Sequence, residues 1–173
     1  MATAILQQSG RTGEALLMSQ QQIYLALGRG IPDWDVNVPP APSSLTGLVD
    51  EIGRLKLTQF AFVQPSPTGE IELEGASSIE RYTASAVPTR WLHLRFALSF
   101  ADAQGETIRE AAIYFGTVPK ATVPAGQRWL APADIDKPGW MKLYERRGGD
   151  KPPAPKIVRV PGDRPTFEYV IEY

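Results

Sequence analysis

His93 is the one histidine in 173 residues, and its neighbours Trp91 and Arg95 supply neither a nucleophile nor an orienting carboxylate. General-base chemistry at a histidine needs both, so His93 reads as a surface or half-buried sheet residue. Asp33-Trp34-Asp35 and Asp134-Ile135-Asp136 each place two carboxylates two positions apart. Calcium loops share that spacing but add further oxygen ligands and a fixed glycine. Neither segment has them, and all four read as solvated loop acids. Glu70, Glu72 and Glu74 alternate along one strand face, too dispersed for an acid/base pair. Gly28-Arg29-Gly30 leads into Ile31-Pro32 rather than a helix N-terminus, which removes a phosphate cradle. Ser43-Ser44 reads as a helix cap, and Arg147-Gly148-Gly149 as a turn. With no cysteine, disulfides, thiolate metal sites and cysteine nucleophiles are excluded. No catalytic, cofactor-binding or metal residue is assigned, and no cofactor is expected.

A different kind of chemistry is written in Arg109-Glu110, a charged pair inside the apolar run Thr107-Ile108-Arg109-Glu110-Ala111-Ala112-Ile113-Tyr114-Phe115. Buried charge is strongly disfavoured without a partner. Glu51 and Arg54 supply a second carboxylate and guanidinium. The expectation is that Glu51 or Arg54 pairs with Arg109 or Glu110 and pins a helix to a sheet.

The elements that would position these groups are mostly strands. The best alternation is Trp91-Leu92-His93-Leu94-Arg95-Phe96, continuing so that Leu92, Leu94, Phe96, Leu98 and Phe100 share a face. A turn at residues 102–105 predicts an antiparallel hairpin with residues 107–115. Further strands are predicted over 22–27, 54–64, 70–74, 140–146, 156–160 and 165–173. Leu45, Leu48, Val49 and Ile52 recur at helical spacing, with Ser43 or Ser44 as cap and Gly53 as stop, which predicts a helix over 45–53. Residues 1–21 read as an arm and 22–173 as a single β-rich domain. Within it, 117–139 is a long irregular segment and 148–155 a Gly/Pro-rich loop. The expected fold is mainly β, a sandwich or mixed antiparallel sheet with one short helix packed on it.

Composition sets the remaining bounds. An apolar share of 43% suffices for a core, and the net charge of -1 comes without a basic cluster, which argues against nucleic acid as partner. No run is long enough for a membrane span. The N-terminus lacks a secretory pattern, so synthesis in the cytoplasm is expected. The 16 prolines and 15 glycines exceed the usual share of about 12% and fall between strands. Trp34 and Trp129 lie in Pro-rich loops, and with Pro39 and Pro40 they are candidate partner contacts, since loop aromatics are enriched at interfaces. Trp34 serves equally well as a plug for its own loop, and Trp129 better so. Trp91 and Trp140 are expected in the core.

The order strand, Gly-x-Gly, Pro-rich loop, Thr46-Gly47-Leu48-Val49-Asp50-Glu51-Ile52-Gly53-Arg54, then Ile108-Arg109-Glu110-Ala111-Ala112-Ile113-Tyr114 resembles the N-terminal baseplate-docking domain of bacteriophage tail-collar fibre proteins and related small tail proteins. That family has a T-x-L-x-N/D-E-x-x-R segment, matched in part by Thr46 to Arg54, and an I-R-E-x-x-(I/L)-(Y/F) strand, matched well. The resemblance covers about residues 22–116 and implies a virion structural protein acting by protein–protein contact. Its implied partners are other tail and baseplate proteins and tail fibres, in several symmetry-related copies. Because no repetitive shaft follows, an adaptor or wedge piece that attaches fibres is expected. A carbohydrate-binding β module using Trp34 and Trp129 as platforms is the alternative.

Overall fold

The computed structural model describes residues 4–74, 78–149 and 154–173. Residues 1–3 of the expected arm and 150–153 of the expected Gly/Pro-rich loop lie outside them. Helix α1 (Gln8–Ser19) is followed by β1 (Ile23–Gly28), β2 (Glu51–Lys56), β3 (Gln59–Pro65), β4 (Ile71–Glu74), β5 (Ile79–Ser85) and β6 (Trp91–Ala97). Then come β7 (Thr107–Ile108), β8 (Glu110–Phe115), β9 (Val118–Pro119), β10 (Trp129–Leu130) and β11 (Ile135–Lys137). Strands β12 (Trp140–Arg146), β13 (Ile157–Val158) and β14 (Thr166–Glu172) complete the order. The fold is mainly β with a single short α-helix among the described residues, as the sequence predicts. No helix there is long and apolar enough to cross a membrane.

The chain forms two compact units. The first comprises the segment through Gln21, Thr58–Arg95 and Phe167–Tyr173; the second comprises Gln22–Leu57 and Phe96–Thr166.

A five-stranded sheet runs β14-β6-β3-β5-β4, and its residues other than Phe96, Ala97 and Thr166 fall in the first unit. The alternation read from the sequence holds for Leu92, Leu94, Phe96 and Leu98, all buried, and for exposed Arg95, but His93, expected at the surface or half-buried, is buried. Phe100 departs from it, being exposed, with the Arg164 guanidinium 4.1 Å above its ring. The helix is a correction. It occupies Gln8–Ser19, where an arm is predicted, and its N-cap Gln7 makes no side-chain cap bond. Gly10 and Gly13 further weaken it. Tertiary contacts hold it instead: Ala15 is buried, Arg11 Nη1 donates to the Tyr173 carbonyl at 2.8 Å, and Arg90 Nη1 donates to Gln8 Oε1 at 3.1 Å.

The second unit is built on the antiparallel sheet β10-β2-β1-β8-β12. Every residue of its central strands β1 and β8 is buried, which is why both read as near-continuous apolar runs. Ala26, Ala112 and Tyr114 form one cluster, with Leu48, Met141 and Tyr144 packed on it.

Three expected elements take other forms. Residues 45–53 are not a helix: turns lead into β2 at Glu51, which pairs with Gly28, while Gly53 pairs with Leu27. A Cβ at Gly53 would stand 2.6 Å from Trp129 Cζ2 and 2.6 Å from the Leu130 carbonyl. That glycine lets β10 approach rather than stopping a helix. The strand predicted over 54–64 divides into β2 and β3, which belong to different sheets. The predicted hairpin does not form, because β6 pairs with β3 while β8 pairs with β1 and β12. The intervening turn is fastened elsewhere: buried Arg159 donates to the carbonyls of Ser99 (3.0 Å), Asp102 (3.2 Å) and Asp163 (2.9 Å). Within 117–139 the backbone also makes three short strands, β9, β10 and β11.

Candidate functional site

The connection between β1 and β2, residues 29–50, contains one short 3-10 turn, Pro32–Asp35. A strap of that length with so little secondary structure of its own is uncommon unless functional. Polar groups fasten it along its length.

At its first turn Asp35 accepts hydrogen bonds from Arg109 Nε (2.7 Å) and Nη2 (3.0 Å), a bidentate grip, and from Lys156 Nζ at 2.8 Å. Arg109, and after it Lys156, hold the Asp35 carboxyl well below the usual carboxylate range. Beside it Trp34 is only 4% exposed, with the Arg146 guanidinium 4.7 Å from its ring centroid. Arg146 Nη1 also donates to the carbonyls of Pro39 (3.1 Å) and Pro40 (2.7 Å). Further along, the Tyr114 hydroxyl donates to the Thr46 carbonyl at 3.2 Å.

The far end is held by Glu110, whose side chain is fully buried. Its Oε1 accepts the amide protons of Val49 (2.9 Å) and Asp50 (3.0 Å), and its Oε2 accepts the Tyr144 hydroxyl at 3.0 Å. Two backbone donors and a phenol on one carboxylate are charge-assisted bonds that repay its burial. Arg29 closes the strap's base, donating twice to Glu106 (2.7 and 2.6 Å) and once to Asp50 (3.0 Å). That contact holds the Glu106 carboxyl below its usual range.

Arg54 fastens the neighbouring turn. It is 3% exposed, lies 3.8 Å over the Tyr114 ring, pairs with Glu51 (2.8 and 3.1 Å), and donates to Thr117 Oγ1 and the Pro138 carbonyl.

All four sequence-predicted charged residues therefore have partners, but not one another across the two groups. Glu51 and Arg54 pair together, Arg109 takes Asp35, and Glu110 takes backbone amides. Arg109 falls in the break between β7 and β8, and successive strand residues point to opposite faces, so one partner cannot serve both Arg109 and Glu110. Asp35, read as a solvated acid, is the residue most clearly missed. Lys156, Arg29, Arg146 and Tyr144 were missed with it, and no local spacing marks any of them.

Of the contact candidates, Trp34 turns inward as the plug of its loop. Pro39 and Pro40 line an open groove, and half-buried Trp129 covers Gly53. The groove, about 760 Å³, lies between the strap and the end of β12, with Val38 and Tyr144 also on its walls. The strap shows solvent its apolar side chains instead: Val36 is 95% exposed, and Ile31, Val38 and Val49 are also exposed. Trp140, expected in the core, is 83% exposed at the head of β12. An outer strand leaves a side chain at its end with nothing to pack beneath.

His93 Nε2 lies 3.1 Å from Glu168 Oε2, which Arg95 also approaches at 3.3 Å. Asp134 Oδ2 accepts the Ala131 amide at 3.0 Å, a local turn bond. Among the described residues no three His, Cys, Asp or Glu side chains converge as a metal-binding group.

A family model described as "Baseplate wedge 3 tail fiber network component" matches residues 3–173. No curated protein matches the chain.

Proposed function

The chain belongs to the baseplate wedge 3 tail fiber network component family, a structural part of a phage baseplate, and we propose that it attaches tail fibres there as an adaptor. Its contact surface is the clasped strap. The observation that carries this reading is that the strap's backbone is fixed by Asp35–Arg109 and by the buried Glu110 while Val36 stands 95% exposed. A contact loop ordered before binding loses little conformational entropy on association. Large exposed apolar side chains on such a loop mark an interface. The resemblance to tail-collar docking domains supports fibre attachment in particular, with several symmetry-related copies around the tail. Synthesis in the host cytoplasm precedes assembly, and neither nucleic acid nor membrane takes part. The protein works by shape rather than by a reaction. No observation favours a glycan module, since Trp34 is buried beneath Arg146.

The test is co-purification of the tagged chain with the baseplate and tail fibre proteins of the same phage. Val36→Asp should abolish capture of at least one of them while leaving the thermal midpoint unchanged. Undiminished capture by that variant would overturn the strap as contact surface.

A further inference from the structure

The strap, residues 29–50, carries three carboxylates, Asp33, Asp35 and Asp50. Two are answered inside the chain: Asp35 by Arg109 and Lys156, and Asp50 by Arg29. Asp33 is exposed, and its side chain has no hydrogen bond or ion pair among the described residues. It lines a hollow of about 440 Å³ together with Ile31, Trp34, Val36, Asn37 and Pro39. The Asp33 carbonyl accepts the amide protons of Val36 (3.1 Å) and Asn37 (3.0 Å), so the hollow has its form before anything enters it.

A partner that covers Ile31 and Val36 also strips water from Asp33. A carboxylate desolvated without a counter-charge is strongly disfavoured. The cations that hold the strap, Arg29, Arg109, Arg146 and Lys156, are engaged elsewhere, so the counter-charge must come from the partner. We propose that the hollow receives an arginine of a partner baseplate or tail fibre protein, its guanidinium on Asp33, and that an apolar residue beside that arginine packs on Val36. This rests on the strap being a contact surface and names the chemistry that surface takes. Arginine suits these walls better than lysine. Its methylene stem lies well on apolar surface such as Ile31 and Pro39, while its planar fork meets a carboxylate with two parallel bonds. The Asn37 side-chain carbonyl is a further acceptor for it. Interfaces show the same preference, being enriched in arginine and depleted in lysine. Asp33 also settles what the hollow refuses, since an acidic segment would set like charges side by side.

The experiment measures binding of the full chain to each purified baseplate and tail fibre protein of the same phage, with Asp33→Asn, Asp136→Asn and Val36→Asp beside the native chain. At least one protein should bind. Asp33→Asn should weaken that binding at least about tenfold and leave the thermal midpoint unchanged. Asp136→Asn removes an exposed carboxylate of β11 and should change nothing. Replacing one arginine of the partner by alanine should cause the same loss as Asp33→Asn, with no further loss when the two are combined. An equal loss with Asp136→Asn would reduce the contact to net charge and overturn the proposal. So would self-association of the free chain that Asp33→Asn abolishes, which would identify a second copy. If Asp33→Asn binds undiminished while Val36→Asp does not bind, the arginine fails and the strap reading survives. If both variants bind like the native chain, or none of the proteins is captured, both fail.

Discussion

Glu110 reaches across the second unit to accept the amide proton of Val49 at 2.9 Å, a bond between residues 61 positions apart in sequence. It turns a strand carboxylate into the anchor of a long connection. Glu110→Gln keeps the shape but loses the charge that two amides and the Tyr144 hydroxyl address. It should cost about 1.5–3 kcal/mol, the range for hydrogen bonds to a charged group, as read by urea denaturation. A change within experimental error would show that the strap holds without it.

Gly28 faces the same carboxylate. A Cβ there would stand 2.5 Å from Glu110 Oε1 and 2.9 Å from the Asp50 carbonyl. Gly28→Ala should therefore destabilise by about 1–3 kcal/mol through overpacking, measured by the same denaturation. A neutral or stabilising result would contradict the close approach.

Arg54→Met leaves Glu51, Thr117 and the Pro138 carbonyl without their shared donor. Removing one partner of a buried pair costs about 3–5 kcal/mol, and a drop in that range is expected in the denaturation midpoint converted to free energy. In a double-mutant cycle with Glu51→Gln the two changes should couple by at least about 0.5 kcal/mol; strict additivity would mean the pair is not formed.

Acid should loosen the strap's first turn. The Asp35 carboxyl sits below its unfolded value of about 3.9 because Arg109, then Lys156, donate to it. Its stabilisation is present above about pH 4 and is lost as pH falls toward the depressed folded value. The stability gap between the native chain and Asp35→Asn should therefore be widest near neutrality and narrow in acid. A gap constant across the acid series would rule the interaction out.

Alkali should act on a different group. Burial pushes the Tyr114 phenol up to about 12, whereas an unfolded phenol titrates near 10. Stability should fall as pH rises from about 10 toward 12, and Tyr114→Phe should lessen that fall, as followed by phenolate absorbance and denaturation together.

What the chain displays in sequence is what depends on neighbours in sequence. Strands β1, β8 and β12 were legible because apolar runs and period-two alternation follow from burial of a sheet face. Leu92, Leu94, Phe96 and Leu98 obey that period, with His93 the exception, buried on the face where a polar residue is expected. The spacing of Leu45, Leu48, Val49 and Ile52 suits a helix equally well, but tertiary demands at Gly53 and Glu110 draw the segment into turns and a strand. Helix α1 was illegible for the reverse reason, since it has no cap and its stability comes from Arg11, Ala15 and Arg90. At the site, the charged strand dipeptide announced that partners must exist. Their identities did not follow, because Asp35 finds Arg109 74 positions away and Glu110 finds Val49 61 positions away.

The central claim is that the strap is fixed before any partner arrives. Hydrogen exchange at the Val49 and Asp50 amides in the free chain tests it most directly. Protection comparable to the amides of β1, lost on Glu110→Gln, is the predicted result. Exchange at the rate of an open loop in the native chain would contradict it.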